Sequence, residues 1–196
     1  LLDFRVPSAW AFAYPSLKPL SSWTRDLVAR CTTFSSWINT ALPKVFWIPA
    51  FTYPTGYLTA LLQTSARKNG IAIDTLNYEH PILTQEPQTI STPAKEGSYV
   101  YGLFVEGAKW DSDANALAEP VPMELYAHMP VIHFKPVENK KKGAKGQYTC
   151  PVYLYPFRSG SRERPSFVTE CDIKSGSFPP EFWIKRGVAL LLAIGT

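Results

Sequence analysis

The sequence predicts an α+β protein: an N-terminal helical segment over residues 1–70, followed by a six-stranded, mostly antiparallel β-barrel over residues 71–196. Three observations carry this expectation. Apolar residues recur at intervals of three and four before residue 70 and in short alternating or continuous runs after it. Eighteen prolines against eleven glycines disfavour long helices and coiled coils, because proline breaks a helix interior. With 45% hydrophobic and 18% charged residues among 196, the protein is able to bury a core and is not a solvated, disordered segment. Six Trp, ten Tyr and eleven Phe suit a sheet core or a contact surface.

The elements follow in order. Residues 1–20, with Pro7, Pro15 and Pro19, read as irregular. Trp23, Leu27, Cys31, Phe34, Ile38 and Leu42 then mark one face of a helix, with Ser21 and Ser22 as possible N-caps and Pro43 as its stop. Asp26 lies in the first turn, where the helix dipole favours a carboxylate. Val45, Phe46, Trp47 and Ile48 form a buried apolar run. A second helix starts at Pro54, whose missing N–H costs nothing in a first turn. It presents Tyr57, Leu58, Leu61, Leu62 and Ser65 on one face and stops at Asn69-Gly70. Residues 76–82, 99–105, 131–137, 149–155, 166–173 and 188–194 read as the six strands, bounded by Pro, Gly, Asn or Asp. Residues 84–96 and 138–147 are the long polar loops. Pro179, Pro180, Glu181, Phe182 and Trp183 make a short turn that packs its aromatics beneath the barrel and aims the last strand.

Charge and motifs exclude more than they assign. The net charge of +4 is mild, and a nucleic-acid surface needs its basic residues on one face. Cys31, Cys150 and Cys171 contain no C-x-x-C pair and there is no glycosylation sequon, which together favour a reducing compartment. No apolar run approaches the roughly 20 residues of a membrane helix. Gly102 to Lys109 has the two-glycine spacing of a phosphate loop. Ala108 interrupts its G-K step, and Trp110 stands where a Mg²⁺-holding hydroxyl is needed. His80, His128 and His133 lack metal-ligand spacing and read as locally hydrogen-bonded residues. Asp111 and Asp113 lack the further oxygen ligands of a calcium loop. No nucleophile signature is present. No catalytic, cofactor or metal residue is therefore assigned. Lys140, Lys141, Lys142 and Lys145, with Arg158, Arg162 and Arg164, form two basic clusters near Tyr148, Tyr153 and Tyr155. They read as solvated loops that protect a sheet edge.

Several stretches in register resemble the C-terminal region of dynein heavy chains, most closely the axonemal type. They are Tyr14-Pro15-Ser16-Leu17-Lys18-Pro19-Leu20, Phe46-Trp47-Ile48-Pro49-Ala50-Phe51, and Tyr57-Leu58-Thr59-Ala60 running into Gln63 and Ala66-Arg67-Lys68. Further on come Gly102-Leu103-Phe104-Val105-Glu106-Gly107-Ala108-Lys109-Trp110-Asp111, Met129-Pro130-Val131-Ile132 and Cys150-Pro151-Val152-Tyr153. Last is Trp183-Ile184-Lys185-Arg186-Gly187-Val188-Ala189-Leu190-Leu191. In place of the S-T-T-G-H-S-T-N stretch of many axonemal chains stands Arg158-Ser159-Gly160-Ser161-Arg162-Glu163-Arg164-Pro165. In this respect the sequence looks more like the β chain of a two-headed inner-arm dynein.

The resemblance implies a helical segment and a β-barrel that together cap the AAA+ ring of a longer motor chain, from which this segment is excised. ATP, Mg²⁺ and microtubules would be handled by other segments of that parent protein. The expected partner is the ring of the same heavy chain, with no membrane and no nucleic acid. The expected location is cytoplasmic, in the cytoskeleton of a ciliary or flagellar axoneme. Trp10, Trp23, Phe34, Trp37, Phe46 and Trp47 are the candidate interaction surface, because two helices cannot bury so many aromatics between themselves. The alternative is a free-standing β-barrel that binds single-stranded nucleic acid through the basic 140–145 loop.

Overall fold

The computed structural model describes residues 3–11, 18–140, 146–154 and 166–192. A single turn, α1 (Ser8–Ala11), precedes the long helix α2 (Leu20–Asn39). The helix begins at Leu20 with Pro19 as its N-cap, so Ser21 and Ser22 lie inside it. Its inner face is turned slightly from the expected stripe. Trp23, Leu27, Arg30, Phe34 and Trp37 point inward, while Cys31 and Ile38 are exposed. Strand β1 (Val45–Trp47) and a 3-10 turn (Ile48–Ala50) lead into α3 (Pro54–Asn69). Helix α3 follows the expected pattern: Pro54 opens it, Gly70 closes it at φ 65°, and Leu58 and Ser65 are buried.

The strands are β2 (Leu76–Glu79), β3 (Ser98–Tyr101), β4 (Phe104–Glu106), β5 (Lys109–Asp111) and β6 (Ala116–Ala118). They continue with β7 (Tyr126–His128), β8 (Ile132–Glu138), β9 (Gln147–Leu154) and β10 (Ser166–Lys174). Helix α4 (Pro180–Arg186) then introduces β11 (Ala189–Leu192).

The expected six-stranded, mostly antiparallel barrel is not what forms. Among the described residues, eleven strands make three sheets ordered β1-β3-β8-β2, β10-β9-β11-β4-β7 and β5-β6, and none closes on itself. Both larger sheets are mixed, because β1 runs parallel to β3 and β11 runs parallel to β9. The parallel pairs have sequence causes. The Val45 run, expected as buried filling, is an edge strand instead. β11 is buried at all four positions and is hydrogen-bonded on both sides, as a continuous apolar run requires.

The barrel expectation also fails because residues 99–105 are two strands in different sheets. Gly102, at φ 91°, breaks them. A β-carbon there would meet Trp47 Cδ1 at 2.7 Å and Pro49 Cδ at 2.8 Å. The antiparallel ribbon β3/β8 turns this corner and continues as β4/β7, held by Met129 N–H donating to the Leu103 carbonyl at 3.0 Å. A ribbon that changes sheets at a bend is the usual corner of two sheets packed at a steep angle.

At the β2 and β10 edges the sheets meet through side chains. Lys140 donates from Nζ to the Tyr78 carbonyl on β2 and to Asp172 Oδ2 on β10. The Asp172 amide donates to His80 Nδ1 at 3.1 Å, just past the end of β2. Thr149 adds a 2.6 Å hydrogen bond to Asp172 Oδ1. Burial alone would raise the Asp172 pKa, but the hydrogen bonds from Lys140 and Thr149 outweigh it and hold the carboxyl below its ordinary value.

The aromatics of α4 lie as expected in the core, although a helix rather than a turn carries them and no barrel lies above. Trp183 is fully buried, donates from Nε1 to the Ser175 carbonyl at 2.8 Å, and meets Phe178 and Phe182 edge-on. Truncating such a residue removes both its packing and a satisfied buried hydrogen bond. Trp183→Ala should cost about 3–5 kcal/mol and lower the thermal midpoint sharply. An unchanged midpoint would show that α4 does not anchor β11.

His80 makes a second test. Burial pushes its pKa down to about 3; the positive charge of Lys140 acts in the same direction and Asp172 opposes it. In the unfolded state an imidazole takes a proton near pH 6.5, so the unfolded state binds the proton that the folded state refuses. Stability is therefore fully present above about pH 6.5. It should fall as the pH drops towards 3, with a slope of up to about 1.4 kcal/mol per pH unit from this group. His80→Asn keeps an acceptor for the Asp172 amide and removes the titration. Thermal midpoints at pH 7, 6 and 5 should then fall less steeply than in the parent; parallel curves would exclude His80 as the source.

Candidate functional site

The six aromatic residues singled out by sequence all lie in the first 50 residues, and the structure distributes them unequally. Trp23 is 1% exposed. Trp10 stacks beside it with ring centroids 6.0 Å apart and remains 43% exposed. Trp23 therefore contributes to an outer surface only through Trp10. Phe34, Trp37 and Phe46 are half-buried in one continuous cluster. Trp37 meets Phe46 edge-on at 5.2 Å and stacks loosely on Phe34 at 6.4 Å. Trp47 lies apart from that cluster, under the guanidinium of Arg30 at 5.5 Å.

Three residues outside that set complete the arrangement. Phe51 contacts Phe34 at 5.7 Å, Trp37 at 6.3 Å and Phe46 at 6.5 Å, and stacks on Tyr57 at 4.3 Å. Tyr57 in turn donates to Ser98 Oγ at 2.7 Å on β3, so the cluster is tied to the sheet. Arg30 is buried and donates from Nη1 to the Ala50 carbonyl at 2.5 Å. A charged residue inside an apolar stripe gives no signal of this role. The Pro-flanked, aromatic-rich stretch at residues 46–53 is the available sign for Phe51.

One flank of α2, beside its inner face, also carries exposed apolar residues among polar ones. Val28 is 59% exposed and Ile38 is 81% exposed. Together with Cys31 they lie within about a quarter-turn of one another at 100° per residue. Leu42, just beyond the helix, is 62% exposed. The apolar arc of α2 thus covers roughly half its circumference, and this fold covers only part of it.

The remaining candidates resolve as follows. Leu103, Val105 and Ala108 of the phosphate-loop look-alike are buried, and Val105 is in register with Leu190 on one side and Ala127 on the other. That backbone is occupied by sheet pairing. His133 bonds the Glu96 carbonyl at 2.8 Å, and His128 lies against Phe104 at 4.4 Å. Asp111 caps the β5–β6 turn, accepting from the amides of Asp113 at 2.9 Å and Ala114 at 3.1 Å. Cys150 and Cys171 are buried, cross-strand neighbours and unbridged, and burial pushes both thiols up. Among the described residues, no three His, Cys, Asp or Glu side chains are grouped to hold a metal ion. No described helix is long and apolar enough to cross a membrane. Of the basic clusters, Lys140 is engaged with Tyr78 and Asp172. Lys141, Lys142, Lys145, Arg158, Arg162 and Arg164, with Tyr155, lie outside the described residues.

Over residues 1–192 the sequence matches the family described as the C-terminal domain of the dynein heavy chain. The protein belongs to that family. It is 55% identical over 192 residues to the dynein-1-beta heavy chain of the flagellar inner arm I1 complex of Chlamydomonas reinhardtii, a match over 98% of this sequence and 4% of that one. It is 49% identical over 195 residues to the human dynein axonemal heavy chain 2, a match over 99% of this sequence and 4% of the relative. Against human dynein axonemal heavy chain 1 the identity is 42% over 199 residues, again with 99% of this sequence and 5% of the relative. This is the C-terminal domain of an axonemal-type dynein heavy chain, and it spans about one part in twenty to twenty-five of the relatives it matches.

Proposed function

We propose that this domain is a non-catalytic structural and regulatory cap that braces the AAA+ ring of its own heavy chain, with the helical half as the docking side. The observation that carries the reading is the width of the apolar arc on α2. Val28, Ile38 and Leu42 remain exposed beside an inner face already packed on Phe46, Phe51 and Trp47. Exposed apolar residues grouped on one helix face mark a partner surface. The relatives are named as axonemal heavy chains, one of them of a flagellar inner arm. That supports a parent motor in the cytoplasm, on the axonemal cytoskeleton of a cilium or flagellum. ATP, Mg²⁺ and microtubules would be bound by other segments of that motor. The nucleic-acid alternative loses Lys140, which is spent within the fold.

The docking side can be tested in the intact motor. Burying a valine or isoleucine contributes about 1.5–3 kcal/mol, so Val28→Ser with Ile38→Ser should loosen the cap. The readout is faster amide exchange along α2 with exchange in β9 to β11 unchanged. Neutralising Lys141, Lys142 and Lys145 to Gln should alter only salt sensitivity. The reverse ranking would move the docking surface to the basic loop. The non-catalytic reading has its own check. Photolabelling the intact motor with an azido-ATP should leave peptides covering residues 98–111 unmodified, and labelling there would restore a nucleotide site.

A further inference from the structure

The connection from β6 to β7 ends in an exposed apolar turn that the fold itself does not use. Its base is tied to α4. Arg186 donates from Nη2 to Glu119 Oε1 at 2.9 Å, and the same guanidinium lies over the Phe182 ring at 4.5 Å. Beyond Glu119 the sequence runs Pro120-Val121-Pro122-Met123-Glu124-Leu125 before β7 begins at Tyr126. The Glu124 amide donates to the Val121 carbonyl at 3.1 Å, which closes a four-residue turn around Pro122 and Met123. Proline holds φ at about −65° in the second place, and Met123 has φ 68° in the third. This is the pattern of a type II turn, whose third place favours glycine because its φ is positive.

Methionine in that place is a local conflict. A strained residue persists where its surroundings hold it or where the strain serves a function. Nothing in this domain holds the Met123 side chain, which is 103% exposed, with Leu125 at 75% and Val121 at 47% on either side. Glycine would relax the turn and remove no packing from the core. It would remove an unbranched, polarisable side chain at the tip of a proline-braced turn, a group suited to filling an irregular apolar pocket. The hydrogen bond and the proline hold the turn in shape beforehand, which lowers the entropy lost on capture.

The size of the tip selects the partner. Three side chains fall far short of the roughly 800 Å² per partner of a stable, freely diffusing complex, and the exposed Glu119 and Glu124 do not extend the apolar area. A tethered partner needs less area, because linkage raises its effective concentration. The domain covers 4% of the flagellar I1 heavy chain that it matches, so most of a heavy chain of that length is attached polypeptide outside it.

We propose that Met123, flanked by Val121 and Leu125, is a plug that inserts into an apolar pocket on another segment of the same heavy chain. This attachment is separate from the α2 flank and stands whether or not α2 docks. The test uses the intact motor. A diazirine amino acid introduced at position 123 and then illuminated should cross-link to a peptide of the same heavy chain outside residues 1–196, with the product still at single-chain mass on a denaturing gel. Cross-links to this domain's own residues, to a second copy of the chain at doubled mass, to a separate protein, or to solvent alone would overturn the proposal. Oxidation of the unaltered motor by hydrogen peroxide needs no substitution. Met123 should form its sulfoxide at least ten-fold more slowly than in a synthetic peptide of residues 117–128, and equal rates would show that no pocket receives it. Both measurements are made at position 123, so they separate this attachment from that of α2.

Discussion

Trp47 Cδ1 and Pro49 Cδ occupy space less than 3 Å from where a β-carbon on residue 102 would stand. Only glycine permits that approach together with a φ of 91°, and the rest of the architecture follows from the bend it allows. β3 and β4 leave Gly102 into different sheets, and β8 and β7 follow them as antiparallel partners. The two large sheets are therefore joined covalently at one corner, and the hydrophobic core fills the wedge between them. The same approach seats β1 beside β3, so the segment that receives α2 is positioned by the corner as well.

Opposite constraints govern the seam. There the sheets are joined by Lys140, Asp172 and His80, which are polar groups of low exposure whose desolvation is offset only while all of their bonds are made. Lys140 and Asp172 each retain 14% of their side-chain exposure. Apolar packing at this position would have sealed the edges into a more nearly closed structure. Polar bridging leaves cavities beside it, which share His80, Lys140 and Asp172 in their walls.

Much of this is legible in the residues, and the failures share a cause. Helix α3 can be read from end to end, because Pro54, the 58/61/62/65 spacing and Asn69-Gly70 are local signals that tertiary contacts do not override. The alternation in β8 and β9 is equally plain. Gly102 is visible, but a single glycine in an apolar run does not say whether a strand bulges or changes sheets. What decides is the approach of Trp47 and Pro49 from more than 50 residues away in sequence. The role of β1 is hidden for a similar reason, since three apolar residues between helices carry no period. In the candidate surface, the aromatic residues can be picked out by type. Their division between interior and rim cannot, because Trp23 and Trp37 occupy comparable helical positions and differ only in what packs on them. Arg30 escapes notice because its partner is a backbone carbonyl, which composition cannot reveal.

The helix proposed to meet the ring is held to the rest of the domain along one side. Trp23 packs with Trp10. Arg30 reaches the Ala50 carbonyl and the face of Trp47. Phe34 and Trp37 close on Phe46 and Phe51. The last two ties end on residues 46–51, the stretch that also presses on Gly102. A load on α2 therefore passes through side chains into a short segment fixed between a sheet edge and the corner, with Tyr57 and Ser98 as a second route into β3. The contacts along both routes are aromatic faces, a guanidinium and a hydroxyl, whose preferred pairing geometries are directional. Val28 and Ile38 stay exposed on one flank, while the inner face is keyed to the one bend that joins both large sheets.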